Sequence, residues 1–238
     1  MTLLHLIRHG RASALEADYD QLQPLGELQA RLLGEHLRRR RQHFDAVYVG
    51  PLRRQLETLR IMREAALEVG SAWPEATVLD GLAEGPFEPL MKNHVRPRLP
   101  QDPQLQVIVQ ALRGAADART RDEALNTLFD YMVGLWRTGA VVAEELESPT
   151  VFQARVLDAL ERIAQREGQG REVAVVTSNG VIGALLQDAG LAPANGSMRH
   201  RLYNSSVSLL ELNVDRRGIA RGCNSIEHLS DPDHLTLI

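Results

Sequence analysis

Alternating apolar strands and amphipathic helices predict an α/β fold for this 238-residue chain, and three stretches carry the prediction. Leu3–Gly10, Phe44–Val49 and Glu172–Thr177 are short apolar runs rich in β-forming residues. Each ends in a glycine-containing turn, and apolar residues at helical spacing come next. Strands joined by helices pair in parallel, which brings their carboxyl ends to one edge of the sheet. Open α/β sheets place their ligand sites at that edge.

The first strand reads Leu-Leu-His-Leu-Ile-Arg-His-Gly. Gly10 can take backbone conformations that other residues avoid, so the strand can stop sharply there. That leaves Arg8 and His9 at its carboxyl end. A guanidinium fork binds phosphate oxygens, and a neutral imidazole nitrogen can attack phosphorus. Two solvated polar residues at a strand end are the competing reading, and the other strands must decide between them. Arg11–Leu22 is a polar loop with two aspartates and Tyr19. Pro24 and Gly26 open a helix whose apolar positions are Leu28, Leu32, Leu33 and Leu37. The basic run Arg38–Arg41 suits a solvated helix C-terminus.

Gly50-Pro51 ends the second strand, and Pro51 suits the first turn of a helix. Leu52, Leu56, Leu59, Met62, Ala66 and Val69 mark that helix's buried face. Arg53 and Arg54 then fall in its first turn, where the helix dipole disfavours cations. An anion bound between dipole and arginine would remove the conflict. Val78–Glu84 leads into Gly85-Pro86-Phe87, which makes Glu84 a carboxylate in a Gly/Pro-rich loop.

Residues 87–149 break the alternation and read as a helical insertion folded over the strand ends. Its apolar positions run from Val107, Val109 and Leu112 to Leu125, Leu128, Phe129, Met132, Val133, Leu135 and Trp136. Phe129 and Trp136 suit an interface as readily as a core, and the oligomeric state is open. Lys92, His94, Arg96 and Arg98 can reach a substrate as easily as water. Pro149–Arg166 is another helix, with Val151, Val156, Leu157, Leu160 and Ile163 on its core side. After Glu172–Thr177, Ser178-Asn179-Gly180 turns into a helix over Val181–Ala189. That turn exposes backbone N–H groups and a serine hydroxyl. Val207–Val214 and Gly218–His228 close the chain as two strands around a hairpin at Asp215–Arg217.

Three strands thus bring two cations, one nucleophile and a helix N-terminus to one edge, an inventory that suits phosphate. The net charge of −4 argues against nucleic acid as partner. The single cysteine, Cys223, excludes an intrachain disulfide and suits a reducing, cytoplasmic compartment. No apolar run is long enough to span a bilayer, and no metal-ligand spacing or cofactor motif occurs. A 44% hydrophobic chain of this length can fill one core, so 1–238 reads as a single domain containing the insertion.

These residues resemble the histidine phosphatase superfamily, the phosphoglycerate mutase-like proteins, over most of the chain outside the insertion. Leu6-Ile7-Arg8-His9-Gly10 matches its defining motif, and Leu22–Ala30 matches the loop and helix start after it. Gly50-Pro51-Leu52-Arg53-Arg54, with Thr58, matches its second arginine motif and selects Arg54 over Arg53 as the phosphate ligand. Leu82-Ala83-Glu84 matches the segment carrying its acid, and Tyr203-Asn204-Ser205-Ser206 is similar to a late asparagine–serine segment. The resemblance implies a three-layer α/β/α sandwich with a mostly parallel sheet and the insertion as a cap. It also implies a metal-independent phosphomonoester hydrolase needing no cofactor. His9 would be the nucleophile, Glu84 the general acid and base, and Arg8, Arg54, Ser178 and Gly180 the phosphate ligands. The partner implied is a small phosphorylated substrate or inorganic phosphate.

One position departs from the family. Ser178 stands where most members carry a second histidine, so a hydrogen-bond donor replaces a charge and reduced activity is expected. His94 or His200 could fill that place. The alternatives are a phosphate- or phosphometabolite-binding module without turnover and, less favoured, a phosphoglycerate-type mutase.

Overall fold

A computed structural model describes residues 1–13, 20–67, 73–194, 199–213 and 218–238. Tyr19, Val69, Val214 and the expected hairpin at Asp215–Arg217 lie outside the described residues. The chain runs β1 (Thr2–Arg8), α1 (Pro24–Arg39), β2 (Ala46–Val49), α2 (Arg53–Ala66) and β3 (Ala76–Val78). Short helical turns from Phe87 to Arg98 lead into α3 (Pro103–Gly114) and α4 (Ala118–Arg137). The remainder is α5 (Pro149–Glu167), β4 (Glu172–Thr177), α6 (Asn179–Asp188), β5 (Val207–Leu212) and β6 (Gly218–Ser225).

The strands form one mixed sheet in the order β3-β2-β4-β1-β5-β6. The pairs β3–β2, β2–β4 and β4–β1 are parallel, whereas β1–β5 and β5–β6 are antiparallel. The mostly parallel α/β sandwich expected from the sequence is therefore present. Strand side chains alternate between faces, and the core divides accordingly. Leu4 and Leu6 of β1, Ala46 and Tyr48 of β2, and Val173 and Val175 of β4 pack on one face. Their partners include Val156, Leu160 and Ile163 of α5, Ile182 of α6 and apolar residues of the 87–149 segment. Ile7, Val47, Val49, Ala174 and Val176 point the other way, onto Leu33 and Leu37 of α1 and Leu59 and Met62 of α2. Among the described residues, no helix is long and apolar enough to cross a membrane.

Several sequence expectations need correction. β3 was not anticipated; Ala-Thr-Val is too short to show a period, and only its pairing with β2 defines it. Leu59, Met62 and Ala66 of α2 are buried as expected, but its first turns differ: Leu56 is 39% exposed, while Arg54, Gln55 and Thr58 are buried. The polar side chains face inward because the start of α2 borders the strand-end cavity described below. Val107 and Val151 face solvent, and Leu105, Ile108 and Phe152 fill the neighbouring core positions instead. α2 begins at Arg53, after Pro51, which keeps Arg53 and Arg54 in its first turn. Arg38–Arg41 is exposed, as a solvated helix end should be. Gly10 is not among the described residues with positive φ. A Cβ there would instead lie 2.3 Å from the Gly26 carbonyl oxygen. Close approach of the β1 end to α1, rather than a special dihedral, requires glycine.

Candidate active site

All four parallel strands end at one cavity. The end of β1 delivers Arg8 and His9, the first turn of α2 after β2 delivers Arg54, the loop after β3 delivers Glu84, and the first turn of α6 after β4 delivers Gly180. These five residues line the same cavity. The β1–β4 register pairs Arg8 with Thr177, and the His9 N–H donates to the Thr177 carbonyl at 2.9 Å. The ends of the two central strands are thereby locked together.

The His9 ring is held from both sides. Nδ1 lies 2.7 Å from the Gly10 carbonyl, and Arg54 Nε donates to Nε2 at 3.1 Å. A carbonyl only accepts, so Nδ1 carries the proton and the lone pair is on Nε2, where it accepts from Arg54. Burial, reinforced by the charges of Arg54 and Arg8, holds the His9 imidazole well below its usual pKa. Neutral imidazole is the form a nucleophile requires.

Arg54 is buried and Arg53 exposed. The anion expected at the start of α2 is supplied by the chain itself. Asp20 accepts from the Arg53 and Arg54 backbone N–H groups, at 2.7 and 3.3 Å, and from Arg54 Nη1 at 2.7 Å. It thus satisfies the helix N-terminus and steadies the guanidinium. Thr58 Oγ donates to the Arg54 carbonyl at 2.7 Å and accepts from the Gly10 N–H at 3.0 Å. Arg8 is buried, and its Nη1 donates to the carbonyls of Leu202 and Leu237.

Glu84 lies over the start of α6. Its carboxylate accepts from the N–H groups of Gly85 (2.9 Å) and Gly180 (3.2 Å). A Cβ on Gly180 would lie 2.3 Å from Glu84 Oε1, so only glycine admits the carboxylate there. Arg155 of α5 fastens the same loop. It donates to the carbonyls of Gly81 (3.0 Å), Ala83 (2.8 Å) and Glu84 (3.1 Å) while forking onto Glu147.

Ser178 is the expected site residue that the structure does not bring in. It is fully buried, does not line the cavity, and its Oγ accepts from Gln55 Nε2 at 2.8 Å. Gln55 also donates to the Leu82 carbonyl at 3.1 Å, which ties α2, the acid loop and the β4 turn together. Of the histidines considered for the vacant role, His200 lines the cavity and contacts the Leu191 carbonyl at 3.1 Å. His94 pairs with Glu145 and is not a lining residue. Among the described residues, no group of three His, Cys, Asp or Glu is placed to hold a metal ion.

Sequence reasoning missed Arg199, Gln55, Asp20 and Arg155. Arg199 lines the cavity and is paired with Asp130 of α4 at 2.7 Å. Each of these side chains gains its role from a partner distant in sequence. Only the aspartates of the Arg11–Leu22 loop were visible beforehand, as unassigned acids.

The arrangement brings a neutral imidazole, two guanidiniums, a carboxylate and a helix N-terminus to one cavity. Such a set can bind a phosphoryl group, displace at phosphorus and move a proton. Among solved structures with the same fold, Bacillus stearothermophilus YhfR superposes with a TM-score of 0.68 at 21% identity, covering 97% of this chain and all of that one. Phosphoglycerate mutase from Bacillus anthracis gives 0.64 at 19% identity, covering 96% and 95%. Phosphoserine phosphatase from Entamoeba histolytica, in complex with 3-phosphoglyceric acid, gives 0.59 at 20% identity, covering 96% and 100%. A comparison with curated protein sequences returned no match. The family profile described as histidine phosphatase superfamily (branch 1) matches residues 4–108 and 112–224, nearly the whole length, so the chain belongs to that superfamily.

Proposed function

We propose that the protein is a phosphomonoester hydrolase working through a phosphohistidine on His9. Nε2 attacks phosphorus, an N–P bond forms, and the P–O bond to the alcohol breaks. Glu84 gives its proton to the departing alkoxide, which needs one because it is a poor leaving group. Water then attacks the phosphohistidine and loses a proton to Glu84. The N–P bond breaks, and inorganic phosphate leaves with His9 neutral again. Arg8 and Arg54 neutralise the phosphoryl oxygens. Phosphate takes over the Gly180 N–H, and the displaced Glu84 carboxyl turns to the ester oxygen.

The observation that carries this reading is the contact of His9 Nε2 with Arg54 Nε, with Nδ1 held by the Gly10 carbonyl. The Bacillus anthracis and Entamoeba histolytica structures are those of a phosphoglycerate mutase and a phosphoserine phosphatase, which agrees with phosphoryl chemistry on small molecules. The reading is tested by quenching turnover of a radiolabelled phosphomonoester. Acid-labile, alkali-stable label should appear on the native protein and be absent from His9→Ala. Phosphate release by His9→Ala at the native rate would remove His9 as nucleophile.

One observation favours the second reading, a phosphate-binding module without turnover. Ser178 faces Gln55, so no side chain from that position meets the cavity. Calorimetric binding of inorganic phosphate, with no release from any ester by folded protein, would select it.

A further inference from the structure

The side of the cavity that would receive the leaving alcohol has its own chemistry. Glu84 is the group that meets this alcohol, and aromatic rings flank it. The Phe87 ring lies 3.2 Å from the place a Cβ would take on Gly85, and the Phe152 ring 3.5 Å from that place on Gly180. These glycines are the two whose N–H groups hold the Glu84 carboxylate. Trp136 meets both rings edge-on, with centroids 5.6 and 5.5 Å away. Its indole N–H is donated to the Glu147 carbonyl at 2.7 Å, which leaves its carbon surface for the cavity. Val133 and Phe129 of α4 continue the lining. Arg199 lies 6.0 Å over the Phe129 ring, with Nε on Asp130 and Nη2 on Asn126 Oδ1, both on α4.

Arg137, Gln153, Gln187 and His200 also line the cavity, but a leaving group with hydroxyls or a carboxylate would have to desolvate them wherever it meets these rings beside Glu84. An apolar group would instead shed water from both surfaces, and aromatic rings meet edge-to-face at the spacings seen here. We infer that the substrates are phosphomonoesters of apolar, uncharged alcohols, with aromatic groups favoured. This inference rests on the hydrolase reading above and names its substrate class.

The test compares esters of primary alcohols, so that leaving-group strength is nearly matched: 2-phenylethyl phosphate, glycerol 3-phosphate and 3-phosphoglycerate. The native protein is expected to show kcat/KM at least about tenfold higher for the phenylethyl ester than for either polar ester. Phe129→Ala, at a half-buried position, is expected to reduce that ratio severalfold. Turnover of all three at similar kcat/KM, or preference for a polar ester, overturns the apolar assignment and leaves the hydrolase reading standing. A ratio unchanged in Phe129→Ala and in Val133→Ser removes these residues as its source and likewise overturns the assignment. Turnover of none by folded protein overturns both readings.

Discussion

His9 owes its character to two contacts made by short reach. The Gly10 carbonyl fixes the tautomer, and Arg54 together with burial keeps the ring neutral. The first contact follows from a His-Gly sequence at a strand end, which is why the proposed nucleophile was legible before the fold was known; the second needs Arg54 of α2. Glu84 was legible only through its motif, because the contacts that place its carboxylate at the cavity come from Gly180 and Arg155, far along the chain. Leaving-group dependence separates these roles. Glu84→Gln should lose about 10²–10⁴ in kcat on alkyl phosphates and far less on 4-nitrophenyl phosphate, whose phenolate leaves without a proton. Arg155→Ala should show the same selectivity with a smaller loss, because it displaces the acid without removing it. Equal losses on both ester types, measured by steady-state kinetics, would mean that neither residue serves proton transfer.

At the scale of elements, α2 shows where a periodic reading fails. Its leucines predict one buried face, but the helix begins at the cavity, and Arg54, Gln55 and Thr58 turn inward to partners on other strands. Hydrogen bonds across 45 to 123 residues turn these polar side chains inward, and no local pattern encodes them. The same cause explains Ser178: its turn was readable, but its direction is set by Gln55. The Asp20 carboxylate resolves the conflict between arginines and dipole at the start of α2. Asp20→Ala should therefore destabilise the fold by about 0.5–2 kcal/mol, as loss of a helix cap does. It should also lower kcat/KM by loosening Arg54. Urea unfolding and initial-rate kinetics check the two effects, and a variant with native stability and native rate would remove Asp20 from both roles.

Over the whole molecule, the two sheet faces and the shared strand edge followed from the alternation of strands and helices. Which residues of 87–152 line the cavity did not, because its helices are amphipathic against each other before they face the cavity. Buried histidines give the fold a pH dependence of definite sign. Burial, with His36 nearby, pushes His228 down to about 4 from an ordinary 6.5. His9, His5 and His200 are also lowered, each chiefly by burial. The unfolded chain therefore takes up protons first as pH falls. Stability should be full above about pH 6.5 and decline toward pH 4, with His228 alone contributing on the order of 2–3 kcal/mol across that window. Urea midpoints between pH 7.5 and 4.5 should fall steadily, and His228→Gln should flatten the slope. A midpoint that rises on acidification would contradict the burial of these rings.

The central claim is that His9 Nε2 is poised for in-line displacement at phosphorus within a cup formed by Arg8, Arg54 and the start of α6. Crystals soaked in orthovanadate test it most directly. The account predicts vanadium bonded to His9 Nε2, its oxygens on Arg8, Arg54 and the Gly180 N–H, and Glu84 swung onto the apical oxygen. Vanadate bound elsewhere, or a His9 ring turned from the ion while Glu84 keeps its hold on Gly180, would contradict it.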